Sequence, residues 1–175
     1  GIRHYRLEKE GIQWPCPTLD HPGTKYLHKE KFSRGLGRFH PVDYIPAAEL
    51  PDEEYPFLLT TGRILFHYHT GTLSRKVRAL NEFVSSGYVE MNPKDVEKLG
   101  LKDGEKVKLI SRRGSIEIHI KESERVVEGI LFIPFHFAEA PANMLTNDAL
   151  DPNAKIPEFK VCACKVEKIH EKIEV

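Results

Sequence analysis

The sequence predicts a mainly β domain, a small barrel with helical insertions. Three observations support this: six or seven short apolar runs, most of them after Pro56, turn residues that punctuate them, and two short segments that read as helix. Strands this short leave little room for a wide open sheet, so closure on themselves is the economical way to bury one face of each.

The first 55 residues are expected to form an extended arm, with the barrel domain running over residues 56–175. Seven of the twelve prolines precede Phe57, interleaved with Gly11, Gly23, Gly35 and Gly37, and no helical or strand period is sustained. Trp14, Tyr26, Phe32, Phe39 and Tyr44 are poor solvent-facing residues. They are expected to anchor the arm on the barrel or on a neighbouring domain.

In the barrel, Phe57-Leu58-Leu59 reads as a buried strand. Leu73, Val77 and Leu80 recur at helical spacing, with Thr72 in position to cap. Tyr88 to Met91 is a second strand. Asn92-Pro93 combines an N-cap with proline at the first helical position, predicting a helix from Lys94 to Leu99 that stops at Gly100. Asp103-Gly104 turns the chain, and Val107 and Leu109 alternate up to Ser111. Arg113-Gly114 then turns it into the alternating Ile116, Ile118 and Ile120, giving a twisted hairpin. Ile130 to Ile133 suits a fully buried strand, and Phe159 to Val166 supplies the last one. The connection between those two, Pro134 to Pro157, is long enough to suggest a function.

Lys plus Arg and Asp plus Glu balance at 26 each, so no whole-protein field invites nucleic acid or anionic lipid. No apolar run approaches the roughly 20 residues a membrane span needs, so the domain is expected to be soluble. Cys16, Cys162 and Cys164 are odd in number and lack a C-x-x-C spacing. This argues against a disulfide framework or a structural zinc site and for a reducing, cytoplasmic location. Cys162 and Cys164, two apart in a strand, are expected on one buried face. The chain opens with Gly1, which suggests a piece of a longer polypeptide whose targeting signals lie elsewhere.

The stretch from Thr61 to Thr72, TGRILFHYHTGT, runs off the first strand as a polar, glycine-punctuated loop. Such a loop can turn several backbone N–H groups toward one point, and with Arg63, His67 and His69 beside them it suits a diphosphate or another polyanion. A solvated polar turn is the competing reading, since neither common phosphate fingerprint occurs. Arg75 and Arg78 either reinforce an anion site or line a solvated helix face. Asn143, among apolar neighbours, either reads a heterocycle edge or serves a turn, and Lys160 is an exposed lysine unless the long loop folds it over a site. His67, His69 and His136 have no ligand spacing diagnostic of a metal. No paired carboxylates or Ser/His/Asp arrangement stands out, so no catalytic and no metal-binding residue is assigned.

Several ordered motifs together resemble one known family. Thr61 through Arg75, Asn92-Pro93, Ser111-Arg-Arg-Gly114, Pro134 through Thr146 (PFHFAEAPANMLT) and Asp151 through Lys160 (DPNAKIPEFK) resemble the C-terminal molybdopterin-dinucleotide-binding domain of the formate dehydrogenase catalytic subunit. Gly11 through Pro17 and His21 through Thr24 resemble the segment leading into that domain.

The resemblance implies a double-psi β-barrel and a molybdopterin guanine dinucleotide cofactor carrying molybdenum or tungsten in the full-length enzyme. It implies that Thr61, Gly62, Arg63, Ile64, Leu65, Phe66, His67, Tyr68, His69 and Thr70 wrap the dinucleotide. Gly71 is added as their neighbour. Asn143 and Lys160 fall where related periplasmic nitrate reductases contact the cofactor, and Phe135 where those enzymes place a residue near the active site.

The family's metal-ligating cysteine or selenocysteine and its iron–sulfur cysteine cluster have no counterpart here, so the iron–sulfur centre is expected elsewhere in the parent enzyme. The chain is therefore expected to be the cofactor-clamping part of a larger formate-oxidising enzyme, inactive alone. Its expected partners are the other domains of the same subunit and electron-transfer subunits. A nitrate reductase of the same superfamily and a stand-alone barrel interaction module are the alternatives.

Overall fold

A computed structural model describes residues 1–169 of the chain. Two compact units are present, Gly1–Tyr44 and a second that begins at Ile45. The first has little regular structure, a single 3-10 turn at His4–Arg6. It is organised by polar links: Arg6 Nη2 donates to the His21 carbonyl at 2.6 Å, and the Thr24 hydroxyl donates to the Pro15 carbonyl at 2.6 Å. Trp14, Tyr26, Phe32, Phe39 and Tyr44 are all exposed.

The second unit holds six strands: β1 (Phe57–Gly62), β2 (Tyr88–Met91), β3 (Lys106–Ile110), β4 (Ser115–Glu122), β5 (Ile130–Pro134) and β6 (Cys162–Lys168). They close into a barrel in the order β1-β5-β2-β4-β3-β6. β1 pairs in parallel with β5 and β2 with β4, while the other neighbours are antiparallel. Because β5 lies between β1 and β2, the connection from β1 to β2 must cross over it. Likewise β2 lies between β4 and β5, and the β4–β5 connection must cross β2. These two interlocked crossings make the barrel the double-psi type that the resemblance implies.

Alternation determines which residues face the barrel axis. Val107 and Leu109 of β3 pair across the hairpin with Ile118 and Ile116 of β4, and all four are buried. Leu59, Val89, Met91, Leu131 and Ile133 complete the same core. Cys162 and Cys164 join them fully buried, and burial pushes the Cys162 thiol up to about 11 and Cys164 in the same direction. Both behave as small apolar side chains.

The predicted helix after β2 forms as α2 (Pro93–Lys98), its first turn capped by the Asn92 side chain, which accepts from the Lys94 N–H. It ends before Gly100, whose φ of 63° suits the left-handed position after a helix. The helix expected from Leu73 is different. A 3-10 turn occupies Ser74–Lys76, and the α-helix, α1, covers Arg78–Phe83. Thr72 caps neither. Leu73 and Val77 are exposed, so their helical spacing marks no core face. The Ser74 hydroxyl instead accepts the Tyr68 N–H at 3.0 Å and ties the preceding loop down.

Residues 45–55 run with the barrel unit. The Glu49 carboxylate meets the Arg113 guanidinium through both oxygens and accepts the Ala163 N–H at 2.6 Å. The guanidinium beside it holds the Glu49 carboxyl below the usual carboxylate range.

Candidate functional site

Parallel pairing of β1 and β5 places Gly62 opposite Pro134, so both chains leave the barrel at the same end. The loop after Gly62 therefore meets the residues after Pro134. A Cβ on Gly62 would lie 2.5 Å from the Phe132 ring, which suits glycine at the point of departure.

Three anchors hold the start of the loop. The Thr61 hydroxyl donates to the Phe159 carbonyl at 2.7 Å, and Lys160 Nζ donates to the Thr61 carbonyl at 2.7 Å. Phe135 N–H donates to the Gly62 carbonyl at 3.2 Å. The Arg63 guanidinium lies 5.7 Å from the centre of the Phe135 ring and is 3.0 Å from His69 Nδ1. Thr61 through Gly71, Phe135 and Lys160 are thus brought together at one end of the barrel.

His67 turns inward. Its Nε2 lies 2.7 Å from the Val84 carbonyl and so carries the proton, leaving Nδ1 to accept from the Ser74 hydroxyl at 3.2 Å. The ring braces the loop against the segment after α1. Phe66 supports the same link by stacking on Phe83, centroids 4.7 Å apart. Leu65, Tyr68, His69 and Thr70 face outward. His69 has a φ of 49° and Gly71 a φ of 74°, so the chain reverses through the left-handed region twice in three residues. A Cβ on Gly71 would meet the His136 carbonyl oxygen at 2.9 Å.

His136, two residues after the end of β5, is 1% exposed. Its Nε2 accepts the Ile64 N–H at 3.0 Å, and its Nδ1–H donates to the His69 carbonyl. Those two contacts define a neutral ring with the proton on Nδ1. Burial lowers its pKa, and nearby His67, Arg63 and His69 push the same way against the His69 carbonyl. Spacing singled His136 out only as a member of a histidine trio. No sequence signal marks a contact 72 positions away.

Among the described residues, the N–H groups of Leu65, Phe66, His69 and Thr70 have no acceptor, whereas those of Ile64, Tyr68 and Gly71 are engaged. The loop therefore offers free donors beside Arg63 and Lys160. Arg75 is committed elsewhere. Its guanidinium makes a bidentate pair with Glu139 at 2.7 and 2.8 Å and sits over Phe137. Arg78 is exposed and pairs with Glu82 along α1.

Asn143 is exposed on a 3-10 turn at Ala142–Met144, and no hydrogen bond joins it to the loop among the described residues. The turn is held by Arg113, which donates to the Leu145 carbonyl at 2.8 Å. Among the described residues no group of three His, Cys, Asp or Glu side chains is placed to hold a metal ion. No helix there is long and apolar enough to cross a membrane.

Comparison with known proteins gives this geometry a context. The family described as the molydopterin dinucleotide binding domain matches residues 57–163. The F420-dependent formate dehydrogenase subunit alpha of Methanocaldococcus jannaschii is 52% identical over 97% of this chain, which spans 25% of that protein. The assimilatory nitrate reductase catalytic subunit of Bacillus subtilis is 39% identical over 95% of this chain and 24% of its own length. Among solved structures, acetylene hydratase from Pelobacter acetylenicus matches with a TM-score of 0.60 at 20% identity, covering 77% of this chain and 21% of that one. The last similarity shows the fold.

Proposed function

This chain belongs to the molydopterin dinucleotide binding domain family, and from that premise we propose that it clamps the molybdopterin guanine dinucleotide of a larger molybdenum or tungsten formate dehydrogenase. The chain spans about a quarter of the length of the curated relatives it matches, so the activity proposed is that of the longer polypeptide. Formate is preferred over nitrate because the formate dehydrogenase relative is 52% identical and the nitrate reductase relative 39%.

The observation that carries the reading is the set of free amides at Leu65, Phe66, His69 and Thr70 beside Arg63 and Lys160, in a loop pinned at both ends. That donor set fits a diphosphate, whose oxygens take backbone N–H groups and cationic side chains together. Asn143 supplies both donors and acceptors for a base edge. When bound, the cofactor supplies the redox centre at which formate is oxidised to carbon dioxide. The chain's own part is positioning: a loop fixed by the barrel holds the tails in one register, and small misplacements of a reacting centre cost orders of magnitude in rate. The other domains of the subunit complete the site, an iron–sulfur cluster and electron-transfer subunits carry the electrons away, and the enzyme works in the cytoplasm.

The test uses the full-length polypeptide purified without oxygen. Arg63→Ala and Asn143→Ala should lower the metal and released guanine nucleotide per chain more than they lower formate-dependent dye reduction per bound metal. Full metal content with lost activity overturns the clamp.

A further inference from the structure

We propose that neutral His136 is the positioning residue of the dinucleotide loop, latching Ile64 and His69 at once, and that its protonation releases them. The part concerning the dinucleotide rests on the function proposed above; the latch itself rests on geometry alone.

The loop between Arg63 and Leu73 crosses over β5 with no strand or helix of its own, so its shape depends on side chains that reach its backbone. Among the described residues, His136 is the one that reaches it twice, accepting the Ile64 N–H and donating to the His69 carbonyl. Between those two contacts lie Leu65 and Phe66, whose amides are free for a ligand. A ring that fixes both ends of that span sets where the free amides point. His69 is also the residue at φ 49°, so the latch holds the backbone in a conformation that costs energy to adopt.

Only one protonation state makes both contacts. A second proton on Nε2 would face the Ile64 N–H, turning an acceptor into an opposed donor. Arg63, His67 and His69 face the ring and disfavour its charge, while Arg75 and Glu139, the other charges close by, pair with each other. The direction of the pH effect follows. The folded state holds His136 below its ordinary value of 6.5, so the unfolded chain binds the proton first on acidification. The stabilisation is complete above that value and is lost as pH falls through the lower, folded value.

Hydrogen exchange of the full-length polypeptide, corrected for the intrinsic pH dependence of exchange, tests the latch without relying on activity. Protection of the engaged loop amides, those of Ile64, Tyr68 and Gly71, should fall about tenfold between about pH 7.5 and 5.5, while β1 and β5 keep theirs. His136→Gln, which offers an oxygen to Ile64 and an amide N–H to His69 without titrating, should keep the loop protected at both pH values. His136→Ala should lose loop protection at both. A pH-independent wild-type loop, a glutamine variant that behaves like alanine, or loss of β1 and β5 together with the loop each overturns the latch.

Guanine nucleotide released on denaturation separates the two proposals. Full nucleotide content in His136→Ala, with the loop unprotected, overturns the role toward the cofactor. Absence of nucleotide from the wild type overturns the proposed function, and the exchange data still decide the latch.

Discussion

In the hairpin of β3 and β4 the inward residues Val107, Leu109, Ile116, Ile118 and Ile120 are all buried, whereas between Arg63 and Leu73 only His67 and Gly71 are. The wall is held by many interchangeable apolar contacts and by ladders in which each strand has two neighbours. The loop is held by a few polar contacts, each made by one side chain: His136 to Ile64 and His69, Ser74 to Tyr68, His67 to Val84. The difference teaches that the shape of a loop can be set by single residues when a redundant scaffold carries the stability. Apolar burial adds roughly with area, while a latch depends on one atom being in one place.

Substitution should separate the two regions. Leu109→Ala leaves a cavity in the wall, and denaturant unfolding of the domain should show a loss of about 2–5 kcal/mol in a single transition. A loss confined to the loop would contradict a shared barrel core. Gly71→Ala forces a Cβ toward the His136 carbonyl at a positive φ, with a cost of about 1–3 kcal/mol. Its larger consequence should be functional: guanine nucleotide retained on purification falls while the circular dichroism of the barrel stays the same.

The smallest contrast concerns two candidate caps. Asn92→Ala removes an acceptor from the Lys94 N–H and should destabilise by about 1 kcal/mol. Thr72→Ala removes only a hydroxyl contact with Thr70 and should change unfolding by less than about 0.5 kcal/mol. Equal effects would mean that Thr72 caps a helix after all.

Those two positions also mark how far the sequence could be read. Asn92-Pro93 followed by Gly100 states a helix start and stop in local chemistry alone, because the cap, the proline φ and the left-handed glycine all act within a few residues. Leu73, Val77 and Leu80 show helical spacing, yet a 3-10 turn at Ser74–Lys76 and a separate α1 at Arg78–Phe83 form there, neither of them capped by Thr72. Ser74 is drawn to His67 and the Tyr68 amide, contacts that no periodicity reports.

Local pattern therefore determined the strands, their buried faces, the α2 helix and the position of a polar glycine loop, because alternation, caps and turns are properties of neighbours in the chain. The ordered motifs together carried the family. Tertiary structure alone decided the closure order of the barrel and the pair of ties that Thr61 makes, donating to the Phe159 carbonyl and accepting from Lys160. It also decided the commitment of Arg75 to Glu139 and the place of His136 beneath the loop. Each of these joins residues dozens of positions apart, and only the parallel pairing of β1 with β5 brings the two chain exits to one end of the barrel, where such side chains can meet.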